Sequence, residues 1–181
     1  MMYSAIASKY ALALYNISKT NGKTETYKEL LNILGDIYNL ASVYLNNQAI
    51  KPENRVQFVL NIMKELKIEY DEIFRKFINL LIVNKRLKYI NQIISFFDYT
   101  ILEDKGLIPV NVTSAMELSK EEEEILSKFV EKYTNRKPVF NVTVDDSLIA
   151  GVVVEFAGKT LDVTVKGRLQ NIARNILNRE G

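Results

Sequence analysis

The chain has no cysteine, no histidine and no tryptophan among its 181 residues. Without cysteine there is no disulfide frame, thiolate nucleophile, thiolate zinc site or iron–sulfur cluster. Without histidine there is no imidazole base, no catalytic triad that uses one, and no histidine-held metal. Any chemistry falls to carboxylates, lysine, tyrosine or serine. Neither charge dominates: 24 basic residues stand against 22 acidic ones, a net of +2. Residues 1–105 hold 14 basic and 11 acidic side chains, and residues 106–181 hold 10 and 11. That balance argues against a dedicated nucleic-acid binder. No run of 18 apolar residues occurs, so no direct insertion into a membrane is expected. Met1-Met2-Tyr3-Ser4-Ala5-Ile6 lacks a basic region followed by an apolar run and a cleavage site, and does not read as a signal or transit peptide. There is no P-loop and no G-x-G-x-x-G, hence no nucleotide signature. No cofactor and no metal are expected.

What is present is an ordinary globular balance, 48% hydrophobic and 25% charged, with mean hydropathy −0.05. The length suits one domain or two small ones. Proline and glycine divide it unevenly. Residues 1–105 contain only Pro52, Gly22 and Gly35, whereas residues 106–181 contain two prolines and five glycines. The apolar pattern changes from helical period to alternation at the same place, which puts a boundary near Asp104-Lys105-Gly106.

The first part reads as five or six helices. One runs from about Tyr3 to Ser18 and stops before Asn21-Gly22. Thr24 or Thr26 caps a second, with Tyr27, Leu30, Leu31 and Leu34 on one face. Gly35 is expected to break it before Ile37, Leu40, Ala41 and Tyr44. Pro52 suits a first turn, and Val56, Val59, Leu60, Met63 and Leu66 follow at helical spacing. Ile73, Phe74, Phe77, Ile78 and Leu81 repeat that spacing, and a last helix spans about Arg86 to Glu103. Short links favour antiparallel neighbours. In the second part, Ile108, Val110 and Val112 alternate with polar residues as a strand, and Pro109 places it on an edge or near its own start. Ser119 and Glu122 form a capping box opening a helix, whose expected core face is Ile125, Leu126, Phe129, Val130 and Tyr133. Phe140, Val142 and Val144 make a second strand, Gly151 to Phe156 a third, and Thr160 to Val163 a fourth after an Ala157-Gly158 turn. A final helix carries Val165, Leu169, Ile172 and Ile176. The expected fold is thus α+β and mostly α. An N-terminal six-helix bundle over residues 1–105 precedes a small α+β domain over residues 106–181, with a roughly four-stranded sheet and two helices.

Two helices are more apolar than a core requires. In the first, Ile6, Tyr10, Ala13, Leu14 and Ile17 fall on one arc and form the expected core stripe. The other half still holds Ala5, Ala11, Leu12 and Tyr15 beside its polar residues. In the last, Leu87, Ile90, Ile94, Phe97 and Ile101 fill one arc, which Tyr89, Ile93 and Phe96 widen to about 180° where about 100° suffices. Two readings fit: burial inside the bundle, or a groove for an amphipathic partner helix. The acidic run Glu121 to Glu124 reads as a solvated helix start, Asp145-Asp146 as a turn, and Lys85-Arg86-Leu87-Lys88-Tyr89 as another solvated helix start. The bottom-up result is an adaptor and not an enzyme.

Three passages resemble a known family. Asp145-Asp146-Ser147-Leu148-Ile149-Ala150-Gly151-Val152-Val153-Val154, followed by Leu161-Asp162-Val163-Thr164-Val165-Lys166-Gly167-Arg168-Leu169, is similar to the C-terminal signature of the δ subunits of bacterial F-type ATP synthases. Their mitochondrial relative is the oligomycin-sensitivity-conferring protein. Tyr10-Ala11-Leu12-Ala13-Leu14-Tyr15 resembles the family's first helix, and Val112-Thr113-Ser114-Ala115 with Leu118-Ser119 resembles a further passage. Ala150 replaces a usual glycine and Val163-Thr164 replace Gly-Ser, which implies a slightly different hairpin geometry.

The resemblance implies a non-catalytic peripheral-stalk subunit of a proton-translocating F-type ATP synthase. Such a subunit links the α-subunit N-termini of the catalytic head to the b subunits of the membrane sector and resists rotor torque. It implies one copy per hetero-oligomeric complex, at the cytoplasmic face of the cell inner membrane, with no nucleic-acid partner. The α-binding groove is expected to be lined or supported by Tyr10, Ala11, Leu14, Tyr15, Ile90, Ile94, Phe97 and Ile101, and the b contact by Val152, Leu161, Lys166 and Arg168. The alternative is a helical RNA-binding adaptor of transcription-antitermination type, which requires clustered Lys and Arg on one bundle face.

Overall fold

The computed structural model describes residues 4–148 and 150–164. The chain divides into two compact units, which among the described residues span 4–101 and 102–164.

The first unit is built from α1 (Ala5–Thr20), α2 (Thr24–Asn46), α3 (Pro52–Glu65), α4 (Glu72–Val83), a single 3-10 turn at Leu87–Tyr89, and α5 (Ile90–Asp104), whose last three residues pass the unit boundary. The sixth α-helix of the described chain belongs to the second unit. Local chemistry sets the helix ends. The Ser4 hydroxyl accepts from Ile6 N–H to open α1, Pro52 occupies the first turn of α3, and Asp71 caps α4. Lys67 and Lys85, both at positive φ, close α3 and α4. Gly35 does not break α2. It is buried mid-helix, where an added Cβ would lie 2.7 Å from Ile94 Cδ1, so its use is close packing against α5. The irregular residue of α2 is Ala41, at φ −117° and ψ 22°.

One core fills the bundle. Its largest fully buried side chains include Tyr27, Phe74, Phe97, Leu14, Leu31, Leu34 and Met63. Ile73 and Leu66, expected on core stripes, lie instead toward solvent. Two polar side chains inside donate to main-chain carbonyls, although the Arg55 Nε atom is buried without a partner among the described residues. Ser18 Oγ donates to the Tyr15 carbonyl at 2.8 Å. Arg55, buried on α3, donates from Nη1 to the Leu45 carbonyl at 3.0 Å and so serves the C-terminal end of α2.

A three-residue network ties α2 to α4. The Tyr27 hydroxyl donates to both carboxylate oxygens of Asp71, at 3.0 and 2.8 Å. Asp71 also accepts from Phe74 N–H at 3.0 Å and from Lys23 Nζ at 3.1 Å. Burial tends to raise the Asp71 carboxyl, but the bonds from Phe74, Tyr27 and Lys23 outweigh it and hold the group below its ordinary value. Burial, then the bond to Asp71 and its charge, push the Tyr27 phenol up to about 12.

Among its described residues the second unit places one helix on a mixed sheet. Its elements are β1 (Leu107–Ser114), α6 (Lys120–Thr134), β2 (Lys137–Val144), β3 (Val152–Phe156) and β4 (Lys159–Asp162), in sheet order β2-β1-β3-β4. β1 runs parallel to β2 through the α6 crossover and antiparallel to β3. β1 is therefore central. Pro109 is tolerated because it lies near the strand start, before the pairing with β3 begins at Asn111. Ser119 and Glu122 make the expected capping box, which lowers the Glu122 carboxyl through bonds from the Ser119 backbone and hydroxyl. A small core gathers Ile108, Val110, Val112, Val130, Val154 and Phe156. The expected final helix lies outside the described residues.

Three positive-φ residues shape the C-terminal strands. Gly151, at φ +98°, leaves no room for a side chain, since a Cβ there would meet the Val163 carbonyl oxygen at 2.5 Å and Thr164 Cα at 2.7 Å. Ala157, at φ 50°, shares the β3–β4 turn with Gly158 at φ 73°. The paired positive angles match a type I′ turn.

Asp71→Ala removes a helix cap and strands the buried Tyr27 hydroxyl, and is expected to cost about 2–4 kcal/mol in urea unfolding. Because the folded Asp71 carboxyl is depressed, its contribution is present above the ordinary carboxylate value and is lost as pH falls through the folded value. Because the folded Tyr27 phenol is raised, its contribution is present below its ordinary value and is lost as pH rises from there toward about 12. Stability measured against pH should therefore fall at both ends, and Tyr27→Phe should flatten the alkaline limb and reduce the acid one, since the Tyr27 bond helps lower the Asp71 carboxyl. In the second unit, Gly151→Ala is expected to lower the melting temperature sharply. Ala157→Asn is expected to add up to about 1 kcal/mol, since asparagine tolerates left-handed backbone better than alanine.

Candidate functional site

The first helix turns a different face inward from the one its hydrophobicity suggests. Its buried residues are Ala7, Ala11, Leu14, Tyr15 and Ser18. Of the expected core stripe, only Leu14 is buried. Ile6 and Tyr10 are half-buried, and Ala13 and Ile17 are exposed. At 100° per residue the true core lies about a quarter turn from the expected one. Small side chains explain it. Ala7, Ala11 and Ser18 let neighbouring helices approach closely, and Tyr15 packs edge-on against Phe97 of α5 with ring centroids 5.8 Å apart. The result is an apolar stripe at the edge of the core, with Tyr10 packed against it, Ile6 half-buried, and Ala13 and Ile17 exposed. Tyr10 is fixed from below. Its ring meets Phe77 edge-on at 6.2 Å, the Arg86 guanidinium lies 5.3 Å from its centroid, and Arg86 Nη1 donates to its hydroxyl at 2.7 Å.

Helix α5 sorts the other expected groove residues in the same way. Ile90, Phe97 and Ile101 are core, and so is Ile93, which the sequence placed on the flank. Ile94 is half-buried against Gly35. Phe96 is half-buried, with its ring 5.9 Å from Tyr99. Gln92, one turn before Phe96, accepts from Ser4 N–H at 3.1 Å and holds the start of α1 beside α5. Of the eight residues expected at this groove, Ala11, Leu14, Tyr15, Ile90, Phe97 and Ile101 are thus buried, and Tyr10 and Ile94 reach the surface. A separate exposed pair, Leu40 and Val43, flanks the irregular turn of α2.

Among its described residues the second unit has its own exposed apolar face, which the sequence assigned to the core. On α6, Val130 is buried and Leu126 packs against the core, but Ile125, Phe129 and Tyr133 are 66%, 42% and 54% exposed. The five expected core positions span about 140° of helix, more than a single sheet covers. That width was the available signal. Phe129 and Tyr133 stack on each other and meet the buried Phe156 ring edge-on, at 6.2 and 5.8 Å. Lys159 Nζ sits 4.5 Å from the Tyr133 centroid and donates to its hydroxyl. Leu161, 38% exposed, pairs with Val154 and so shares this face of the sheet. Val152 is half-buried at the start of β3 and packs against the core. Lys166 and Arg168 lie outside the described residues.

Among the described residues no three acidic side chains are grouped to hold a metal, and no helix is long and apolar enough to cross a membrane. The strongest features are apolar helix faces, which bind by burial and perform no chemistry.

The division between core and surface is measurable. Phe97→Ala is expected to lower unfolding free energy by about 3–5 kcal/mol through the cavity it leaves. Ile17→Ser on the outward stripe is expected to change it by less than about 0.5 kcal/mol. Denaturant unfolding of the two variants checks the assignment.

Residues 6–176 match the model of the ATP synthase delta (OSCP) subunit family. Similar proteins include the ATP synthase subunit delta of Thermosipho melanesiensis, 42% identical over 178 residues, with 98% of each chain covered. That of Thermosipho africanus is 40% identical over 177 residues, with 97% of each covered. That of Thermotoga maritima is 38% identical over 179 residues, covering 99% of this chain and 98% of its own. A chain of the mitochondrial ATP synthase hexamer of Toxoplasma gondii shares the fold, with a TM-score of 0.63 over 96% of this chain and 98% of that one, at 15% identity. These likenesses displace the RNA-binding adaptor. A chain without catalytic histidine or cysteine, carrying apolar helix faces in both units and matching one family along nearly its whole length, belongs to the ATP synthase delta (OSCP) subunit family, whose members are non-catalytic structural subunits of the stator.

Proposed function

We propose that the chain joins the catalytic head of an F-type ATP synthase to its membrane sector as part of the peripheral stalk, and holds the head against the torque of the rotor. The reading rests above all on the coincidence of family membership with one unpartnered apolar helix face in each unit. A linking subunit needs two docking surfaces, and an exposed apolar helix face in each unit supports that reading.

In this proposal, residues 1–105 grip an amphipathic helix from the N-terminus of an α subunit. Ile6, Tyr10, Ala13 and Ile17 form the contact stripe, and Ile94 is the half-buried α5 candidate. Ala11, Leu14, Tyr15, Ile90, Phe97 and Ile101 support that surface from beneath. Residues 106–181 meet the b subunits through Ile125, Phe129, Tyr133 and Leu161, with Val152 bracing the sheet, and Lys166 and Arg168 retained as sequence-based candidates. Burying a large apolar side chain contributes roughly 1.5–3 kcal/mol, so a few anchors on each face suffice after the costs of association. The chain works as one copy within the hetero-oligomer, at the cytoplasmic face of the inner membrane, and reaches that membrane through its partners.

Calorimetry on the full chain tests both contacts. A synthetic peptide of the cognate α N-terminus should bind one-to-one with negative heat-capacity change. Ile17→Asp should weaken it at least about tenfold, while Phe129→Asp leaves it unchanged. A segment from the C-terminal end of b should show the opposite pattern. Loss of both contacts by either variant alone, or no saturable binding to the folded chain, counts against the proposal.

A further inference from the structure

The sheet order leaves one side of β2 unpaired among the described residues. Its free backbone groups can be identified. Lys137 N–H donates to the Gly106 carbonyl at 3.3 Å and Asp145 N–H to the Ser114 carbonyl at 2.8 Å, so the odd-numbered residues of β2 bond inward to β1. Alternation then turns the N–H and C=O groups of Phe140, Val142 and Val144, and the carbonyl of Pro138, outward. Edge strands are usually short, charged or bulged, because such a row of groups templates further pairing. The other edge, β4, follows that rule with four residues that include Lys159 and Asp162. β2 does not. It is eight residues long, its one charged residue and its one proline sit together at its start, and Val142 and Val144 are 38% and 46% exposed.

We propose that free copies of this chain pair through β2, edge to edge, in an antiparallel two-fold arrangement centred on Asn141. The occupant follows from the charge pattern of the strand itself. Lys137 stands at one end and Asp145 immediately past the other, both on the same face. Centred on Asn141, the arrangement sets Lys137 of each copy opposite Asp145 of the other. Phe140 faces Val142, an aromatic with a β-branched residue, and the two exchange both backbone hydrogen bonds. Val144 N–H meets the Pro138 carbonyl. A shift by one residue sets outward groups against inward ones, and a shift by two moves both charges off their partners. This pairing concerns the free chain and does not depend on the stalk reading, in which the chain is present once.

Sedimentation velocity on the full chain tests it at concentrations up to about 1 mM. The unaltered chain should show a concentration-dependent monomer–dimer equilibrium. Val142→Pro removes an outward donor without touching the ladder to β1, and should abolish the dimer while leaving the circular dichroism of the monomer unchanged. Lys137→Glu and Asp145→Lys should each weaken self-association by about 3- to 30-fold. Mixing these two variants should restore it, because the mixed pair sets Glu against Lys and Lys against Asp. A chain that stays monomeric over the whole range, a dimer that survives Val142→Pro, or mixed variants that associate no better than either alone overturns the proposal.

Discussion

The first helix lies close enough to its neighbours to exclude solvent from Ala7, Ala11 and Ser18. That close approach decides what the bundle presents outward. Small side chains bring backbones together, and large ones on the same helix are then displaced to the flank or the surface. Gly35 makes the corresponding concession on α2, where Ile94 of α5 occupies the place of a side chain. With these contacts fixed, Tyr10 becomes a surface residue supported by Phe77 and Arg86. Ile6, Ala13 and Ile17 line up with it. The outward stripe is thus a consequence of inward packing.

The second unit meets the same constraint with fewer parts. Among the described residues one helix on four strands buries its Val130 side and leaves Ile125, Phe129 and Tyr133 exposed on the flank of a wide apolar arc. Phe156 props Phe129 and Tyr133 from below, which gives exposed aromatics a fixed geometry and lowers the ordering cost of binding. The titratable groups that depart from ordinary values serve structure throughout. Asp71 and Glu122 are helix caps, and Asp145 and Asp162 accept from the hydroxyl and backbone N–H groups of Ser147 and Thr164 two residues on. Among the described residues each of these groups is a cap or a local turn bond.

Much of the fold was legible in the sequence because its signals are local. Helical spacing in α3 and α4, the cap at Ser119, the alternation of β1 and the Ala157-Gly158 turn each depend on residues a few positions apart. The absence of histidine and cysteine likewise removes most enzyme classes on residue identity alone. The candidate groove was legible only as a surplus of apolar residues on the first and last helices of the bundle, most of which the structure buries, and the surplus on α6 was absorbed into an over-wide core.

The sequence by itself determined the mostly helical α+β architecture, the starts of α2, α3 and α6, and the family, since each rests on short-range pattern or on residue identity. Only the tertiary structure decided which side of α1 faces inward, that Gly35 packs and does not break, and which of Tyr10, Ala11, Tyr15, Ile94 and Phe97 reach the surface. The physical reason is that hydrophobicity ranks side chains one at a time, whereas burial is a property of pairs. A helix turns toward its neighbour the face that lets the two backbones come closest, and that face need not be its most apolar one.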